Sequence, residues 1–397
     1  MAIFQYSFPT RIQFGAGAVA LVGAALKEAG KKRALIVTDR GLATLAPVTA
    51  TRESLTRAGL EVALFSGVWG NPVKSQVSAG VEAFRAHGAD CIVGLGGGAA
   101  IDVAKAVLLM INHPGDLFDY EDEKPGALPI DRELPYWVSI PTTAGTGSEV
   151  GRSTVISDDQ THVKKIIFSP RLLAQRVFLD PELTLGLPAA VTAATGMDAL
   201  THLVEAYLAK GFQPLCDGIA LAGVRLVAQG LPRAVEFARR LDHGEQALLH
   251  NSDHVEARGQ MLNAATMGGV AFQKGLGVTH SIAHALSTVC DLHHGLANGI
   301  AIPYAMSFNA TVSAERLTDL ARMVGAREQS ARGFVVWLEE LRHQIGIPRD
   351  LRAAGVKDEH VDRLVSIAVA DACHPNNPRP VTEADFRALF RQALGPS

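Results

Sequence analysis

Four short apolar runs in the first half of the chain, each leading into a turn-rich loop or a glycine run, do most to limit what it can fold into. Residues 33–38 read RALIVT, an unbroken stretch rich in branched side chains. A strand covered on both faces has that composition, whereas a half-exposed strand would alternate. Residues 62–65 form a second run and lead into a turn-rich stretch at 66–72. Residues 91–95 form a third, followed by Gly96, Gly97 and Gly98 and then a helical pattern over 99–110. The fourth, residues 136–140, is followed by Pro141 and a Thr- and Gly-rich segment at 142–148. Strand, loop and helix in series predict an α/β fold, a doubly wound parallel sheet with its loops gathered at one edge.

The pattern changes near residue 186. Pro188 opens a series of Ala- and Leu-rich segments with helical periodicity and little strand signal, which predicts helices packed on helices. The expected organisation is an α/β dinucleotide-binding domain over 1–186 and an all-α domain over 187–397. Residues 236–260 are the most charged stretch and read as a solvated connection between helices. With 48% hydrophobic residues, a chain of 397 can bury sizeable cores. Its 37 basic against 40 acidic side chains leave no surplus to neutralise a phosphate backbone, which argues against nucleic acid. Cys91, Cys216, Cys290 and Cys373 stand singly, as suits a reducing compartment. The N-terminal residues lack the basic stretch and apolar core of a signal peptide, and no apolar run approaches the roughly 18 residues of a membrane span. The expectation is a soluble, cytoplasmic protein with no membrane partner.

In GLGGGAAIDVAK, residues 94–105, glycines join a strand to a helix. Glycine lets backbone approach a phosphate, and a helix N-terminus offers unpaired N–H groups and partial positive charge. The spacing is neither GxGxxG nor a P-loop, and such a turn also serves tight packing alone. Asp102, in the first turn of that helix, also suits its dipole. PTTAGTGSEV, residues 141–150, adds hydroxyls and glycines after the next strand, and two such loops at one edge point to a nucleotide. Asp39 ends the first clear strand, where a carboxylate can accept from a ribose diol and repel a 2′-phosphate, favouring NAD over NADP. A turn or N-cap role fits Asp39 equally well.

A sharper pattern lies in the second half. Asp198 and His202 stand four apart in TGMDALTHLVEAY, on one face of a helix. His280 and His284 repeat the spacing in GVTHSIAHAL, and His293, His294 and Gly295 follow. Carboxylate and neutral imidazole suit divalent zinc or iron. A lone helical histidine is more often a core or surface residue, but paired spacings on neighbouring apolar helices are harder to dismiss. HExxH is absent, which argues against a zincin protease.

At these residues the chain resembles the iron-containing (group III) alcohol dehydrogenases over nearly its full length. The motifs run in order: Asp39, Asn71-Pro72, GGGAAID, PTTAGTGSEV, DPELTLGLP, TGMDALTHLVEAY, GVTHSIAHAL, HHGLAN and Asn377-Pro378-Arg379. The resemblance implies Asp198, His202, His280 and His294 as ligands of Fe²⁺, with Zn²⁺ a substitute, and His284 beside the nicotinamide as the proton-handling or orienting residue. It implies Gly97, Gly98 and Asp102 at the NAD pyrophosphate and nearby nucleotide, and Thr142, Thr143, Thr146 and Lys164 completing the site. Asp39 and Asn71 would lie at its adenosine side. The implied fold is dehydroquinate synthase-like, with the active site between a nucleotide domain and a helical metal domain, in a homodimer or larger homo-oligomer.

Two positions depart from the family pattern: Ala99 replaces a Ser after the glycines, and His293 replaces a Pro before the last ligand. His294 is preferred to His293 because it keeps the ten-residue offset from His284 and the following glycine. The implied activity is interconversion of a small primary alcohol and its aldehyde. AFQKGLGVTH and LHHG are similar to the 4-hydroxybutyrate dehydrogenase branch, and Lys274 or Arg152 could hold the far carboxylate of an ω-hydroxy acid. A helix-capping lysine and a cofactor-wall arginine are the plainer readings. The alternatives are a lyase of the dehydroquinate synthase type that uses NAD transiently, and a non-catalytic nucleotide- or metal-binding relative.

Overall fold

A computed structural model of the chain describes residue 8 and residues 10–122 and 124–395. It divides into two compact units, Phe8–Thr143 with Gly147–Thr184, and Ala144–Thr146 with the residues from Leu185 onward. The short segment Ala144–Thr146 therefore sides with the helical unit although it lies far inside the α/β half of the sequence.

The α/β unit carries eight strands among the described residues: β1 (Arg11–Phe14), β2 (Arg33–Asp39), β3 (Glu61–Val68), β4 (Cys91–Gly96), β5 (Tyr136–Pro141), β6 (Ser153–Ser157), β7 (Lys164–Phe168) and β8 (Arg176–Leu179). Six form one sheet in the order β1-β8-β5-β4-β2-β3, with every neighbouring pair parallel. The helices are α1 (Val22–Glu28), α2 (Ala46–Arg57), α3 (Lys74–His87) and α4 (Gly98–Asn112). Ala34, Ile36, Val93 and Ile140 pack with Val22 and Leu26 of α1 and Leu55 of α2. The alternate residues Leu35, Val37 and Ile92 are equally buried, and α3 and α4 pack on β2, β3 and β4. Both faces are covered, which is why the strands read as continuous apolar runs. The antiparallel ribbon β6–β7 is an addition that short, partly polar segments did not signal.

The helical unit contains α5 (Ala189–Leu208), α6 (Pro214–Asp242), α7 (Ser252–Ala271), α8 (Val278–Cys290), α9 (His294–Met323), α10 (Ala331–Ile345), α11 (Val361–Ala370) and α12 (Glu383–Leu394). From Thr192 to Leu208 every residue of α5 is buried, so this helix is the centre around which α6, α7 and α9 pack. By length and composition α6 could cross a membrane, contrary to the expectation that no apolar run comes near that length. Its Val224, Val227, Leu231 and Val235 are instead buried in the helical core.

The charged stretch 236–260 is not a solvated connection, since α6 runs into it and α7 begins at Ser252. Arg258 is buried, donating to Thr192 Oγ1 at 2.7 Å, to the Leu187 carbonyl at 3.1 Å and to His254 Nε2 at 3.0 Å. His254 is buried with it and its Nδ1 donates to the Leu248 carbonyl at 3.1 Å. Burial holds His254 down at about 4 and the Arg258 guanidinium at about 9. A histidine with a depressed folded pKa binds its proton more readily when unfolded. Stability is therefore expected to fall as pH drops from about 6.5, the unfolded value, toward about 4. Thermal unfolding between pH 7 and 5 should show this slope and His254→Gln should flatten it; equal slopes would contradict the assignment.

Candidate metal centre and cofactor-binding edge

Three helices of the helical unit meet at one point. Asp198 and His202 lie one turn apart on α5, His280 and His284 one turn apart on α8, and His294 opens α9. Gly295 makes the approach possible, because a Cβ there would sit 2.2 Å from the Ala194 carbonyl oxygen and 3.2 Å from Asp198 Cβ. Donor atoms of Asp198, His280 and His294 lie within 4.8 Å of one another. Asn298, one turn into α9, donates to Asp198 Oδ1 at 2.8 Å and lies 3.3 Å from His294 Nε2. His293 caps α9, its Nδ1 accepting from the Leu296 N–H at 3.4 Å, so the histidine in the cluster is His294.

His202 is outside that set of three but stacks on His280, with ring centroids 4.6 Å apart. Burial pushes it down to about 4, so its ring is neutral and carries a lone pair. His202 Nδ1 and His280 Nε2 are both buried with no hydrogen-bond partner among the described residues. Buried polar atoms are normally paired, and lone-pair atoms of neutral imidazoles beside a carboxylate are what Fe²⁺ or Zn²⁺ requires. The donor set fits the ion.

His280 is oriented by a residue that the sequence reading missed. Glu205, fully buried on α5, accepts from His280 Nδ1–H at 2.7 Å and from the N–H groups of Gly277 at 2.8 Å and Thr279 at 2.6 Å. Burial opposes charge on both side chains, yet the pair holds Glu205 below and His280 above its ordinary value. A signal did exist: Asp198, His202 and Glu205 follow the i, i+4, i+7 pattern of one helical face. Asp371 is the second missed residue, bonded to His284 Nδ1 at 2.7 Å from 87 positions away, and no local pattern could reveal it. Hydrogen bonds from His284, Ser281 and the Cys373 N–H hold its carboxyl well below the usual range despite burial. His284, Asp371 and Cys373 also have donor atoms within 4.8 Å, but both Asp371 oxygens are already engaged by these bonds.

In the α/β unit, neighbouring strands β2, β4 and β5 bring Asp39, Gly97, Gly98, Thr142 and Thr143 to the carboxyl edge of the sheet. Gly96 has φ 146°, and a Cβ there would lie 2.7 Å from Ala100 Cβ and 3.3 Å from Asp39 Oδ2. Asp39 Oδ1 accepts from the Leu42 N–H at 3.0 Å, the turn role, with Oδ2 beside the glycine turn. Asn71 is exposed beyond β3 and Lys164 begins β7. Thr146 belongs with the helical unit, where the neighbouring Gly145 hydrogen-bonds His202 through its backbone.

The role expected for Asp102 needs correction. Its Oδ1 accepts from Ser148 Oγ at 2.5 Å and its Oδ2 from the Val155 N–H at 3.0 Å. Fully buried Lys105 donates to Ser148 Oγ and to the Ser153 carbonyl, each at 2.8 Å. Asp102 thus ties α4 to the following loop and to β6 rather than presenting its carboxylate to a phosphate.

A profile described as iron-containing alcohol dehydrogenase matches residues 9–181, and one for the C-terminal part of the same family matches residues 192–394. The chain belongs to the iron-containing alcohol dehydrogenase family. Curated relatives include an NAD-dependent methanol dehydrogenase of Bacillus methanolicus, 35% identical over 98% of this chain and 100% of that one. A 4-hydroxybutyrate dehydrogenase of Cupriavidus necator is 35% identical over 99% of this chain and 100% of its own. A solved structure of a 1,3-propanediol oxidoreductase superposes with a TM-score of 0.91 at 36% identity, covering 99% of this chain and all of that one. As an iron-containing alcohol dehydrogenase, this chain is an oxidoreductase acting on alcohols and aldehydes.

Of the two candidate substrate cations, Lys274 is engaged inside the helical unit. Lys274 has a buried side chain and donates to Asp217 Oδ1 at 2.5 Å and to the Tyr207 carbonyl at 3.0 Å. Its ammonium is engaged inside the helical core, so it is neither a surface cap nor held out toward a substrate. Arg152 lies over the Phe168 ring, 5.2 Å from its centroid. For this dehydrogenase, Glu205→Gln is expected to weaken iron or zinc binding about 10–100-fold, the usual cost of losing a partner that orients a metal-binding histidine. Chelator competition with metal analysis measures this; unchanged affinity in a folded variant would remove Glu205 from the metal site.

Proposed function

We propose that this chain is a metal-dependent NAD(H) dehydrogenase that interconverts a small primary alcohol and its aldehyde. The observation that carries the reading is the convergence of Asp198, His280 and His294, with His202 stacked on His280, around buried imidazole nitrogens that have no hydrogen-bond partner among the described residues. Asp198, His202, His280 and His294 would hold the ion; Fe²⁺ is the resident species we infer, and one carboxylate with three imidazoles accepts Zn²⁺ too. Gly97 and Gly98 at the start of α4, with Asp39, Asn71, Thr142, Thr143, Thr146 and Lys164, would hold NAD. When bound, the ion supplies Lewis acidity toward the alcohol or carbonyl oxygen, and the nicotinamide supplies hydride exchange.

The remaining chemistry belongs to the chain. Asn298 holds the Asp198 carboxylate, and Glu205 keeps a proton on His280 Nδ1 so that Nε2 stays a lone-pair donor. Oxidation of a primary alcohol releases one proton besides the hydride. His284 is the group for it, partly exposed where His280 is sealed. The internal use of Lys274 supports neutral alcohols and diols as the main substrates. An ω-hydroxy acid is the second reading, supported by the likeness to 4-hydroxybutyrate dehydrogenase. Four cysteines without disulfides support a cytoplasmic enzyme, and the family supports a homodimer or larger assembly.

The test is NADH absorbance during incubation with NAD⁺ and a panel of simple alcohols, diols and ω-hydroxy acids, with added Fe²⁺ or Zn²⁺ and after chelation. Net NADH that disappears on metal removal and returns on reloading is expected. Transient NAD use without net NADH would favour a lyase, and binding without turnover a non-catalytic relative. His280→Ala is expected to lose both metal and activity; turnover in the metal-free variant would refute its assignment. Lys274→Met is expected to lower the melting temperature while leaving the KM ratio of anionic to neutral alcohols unchanged, and a selective rise for the anionic substrate would restore Lys274 to the site.

A further inference from the structure

On α8, His280 and His284 stand one turn apart and each gives its Nδ1 to a carboxylate, both at 2.7 Å. The two pairs differ in access to water. His280 and Glu205 have side chains 1% exposed each, whereas His284 and Asp371 are 26% and 16% exposed. The first pair can only hold a geometry. The second pair holds a geometry too, but is partly open to water.

Asp371 follows directly on α11 and is itself held on every side that matters. Its Oδ1 accepts from Ser281 Oγ at 2.7 Å and from the Cys373 N–H at 2.9 Å, while Oδ2 accepts from His284. Ser281 is fixed in turn, its Oγ accepting from the His374 N–H at 3.0 Å. The carboxylate cannot turn without breaking several bonds. The His284 ring is therefore held with its proton on Nδ1, stacked on His294 with centroids 5.2 Å apart, and Nε2 is the atom left to accept a proton.

We propose that Asp371 is a positioning residue for the dehydrogenase reaction: it fixes the tautomer and orientation of His284, so that Nε2 is the accepting atom. The inference rests on the reading of His284 as the proton-handling group. A carboxylate in this place keeps the neutral ring in one tautomer and stabilises the ring once it has taken the proton, acting through the histidine without touching substrate. Ser281 and the backbone from Asp371 to His374 make the support that keeps the carboxylate aimed.

The test uses metal-loaded enzyme, with metal content and melting temperature measured on every variant. Asp371→Asn keeps the shape but can present an N–H toward Nδ1, and is expected to lower kcat about 10–100-fold with KM and metal content little changed. His284→Ala is expected to lose at least as much, and the double variant no more than His284→Ala alone, since Asp371 acts through that ring. Ser281→Ala, which leaves both rings and the carboxylate in place, is expected to lower kcat severalfold and serves if Asp371→Asn fails to fold. Wild-type kcat in Asp371→Asn, or losses that multiply in the double variant, would overturn the positioning role while leaving His284 standing. Full turnover in His284→Ala would instead sink the proton-handling reading, and this inference with it.

Discussion

The rest of the helical unit depends on a cluster that is unfavourable by itself: a carboxylate and imidazole lone pairs brought together away from water. Burying such groups costs free energy unless each finds a partner. Asn298 satisfies part of Asp198, but His202 Nδ1 and His280 Nε2 have no hydrogen-bond partner among the described residues. On the proposed reading a divalent cation would answer these groups together, and ion binding would then stabilise this region. The surrounding packing follows from that need. The first turn of α9 is pressed onto α5 through Gly295, so that His294 arrives beside Asp198.

The placing of α8 shows how one residue serves folding and chemistry together. Glu205 sits at the start of α8, where the helix N-terminus favours negative charge, and takes both backbone N–H groups and the imidazole proton. The same carboxylate stabilises the helix start and dictates which nitrogen of His280 is free. Asp371 repeats the device one turn later from a different part of the chain. Two copies of one His–carboxylate motif stand on α8, one sealed from water and one partly open to it.

Much of this was legible in the residues. The parallel sheet followed from unbroken branched runs, and Asp198 with His202 and His280 with His284 were visible as spacings on helical faces. Glu205 was legible in principle, since it shares a helical face with Asp198 and His202, but a lone glutamate inside an apolar helix gives no sign by itself of the backbone and imidazole it meets. Other residues were misjudged for a common reason: charge in a sequence does not say whether a partner is near. Lys274, read as either a substrate contact or a helix cap, meets Asp217. Asp102 was expected to meet a phosphate-bearing cofactor and found Ser148 and Val155. Arg258 and His254 lie in a stretch that looked solvated and bond each other in the core.

By itself the sequence determined what is local: which segments become strands or helices, which faces are apolar, and which donors share a turn, because backbone geometry and periodicity act over a few residues. Only the tertiary structure decided what meets across long separations. It brought His294 beside Asp198, set Asp371 against His284, and joined Ala144–Thr146 to the helices rather than to the sheet that precedes them. Those pairings depend on how whole elements pack, and close packing selects partners that no short window of residues contains.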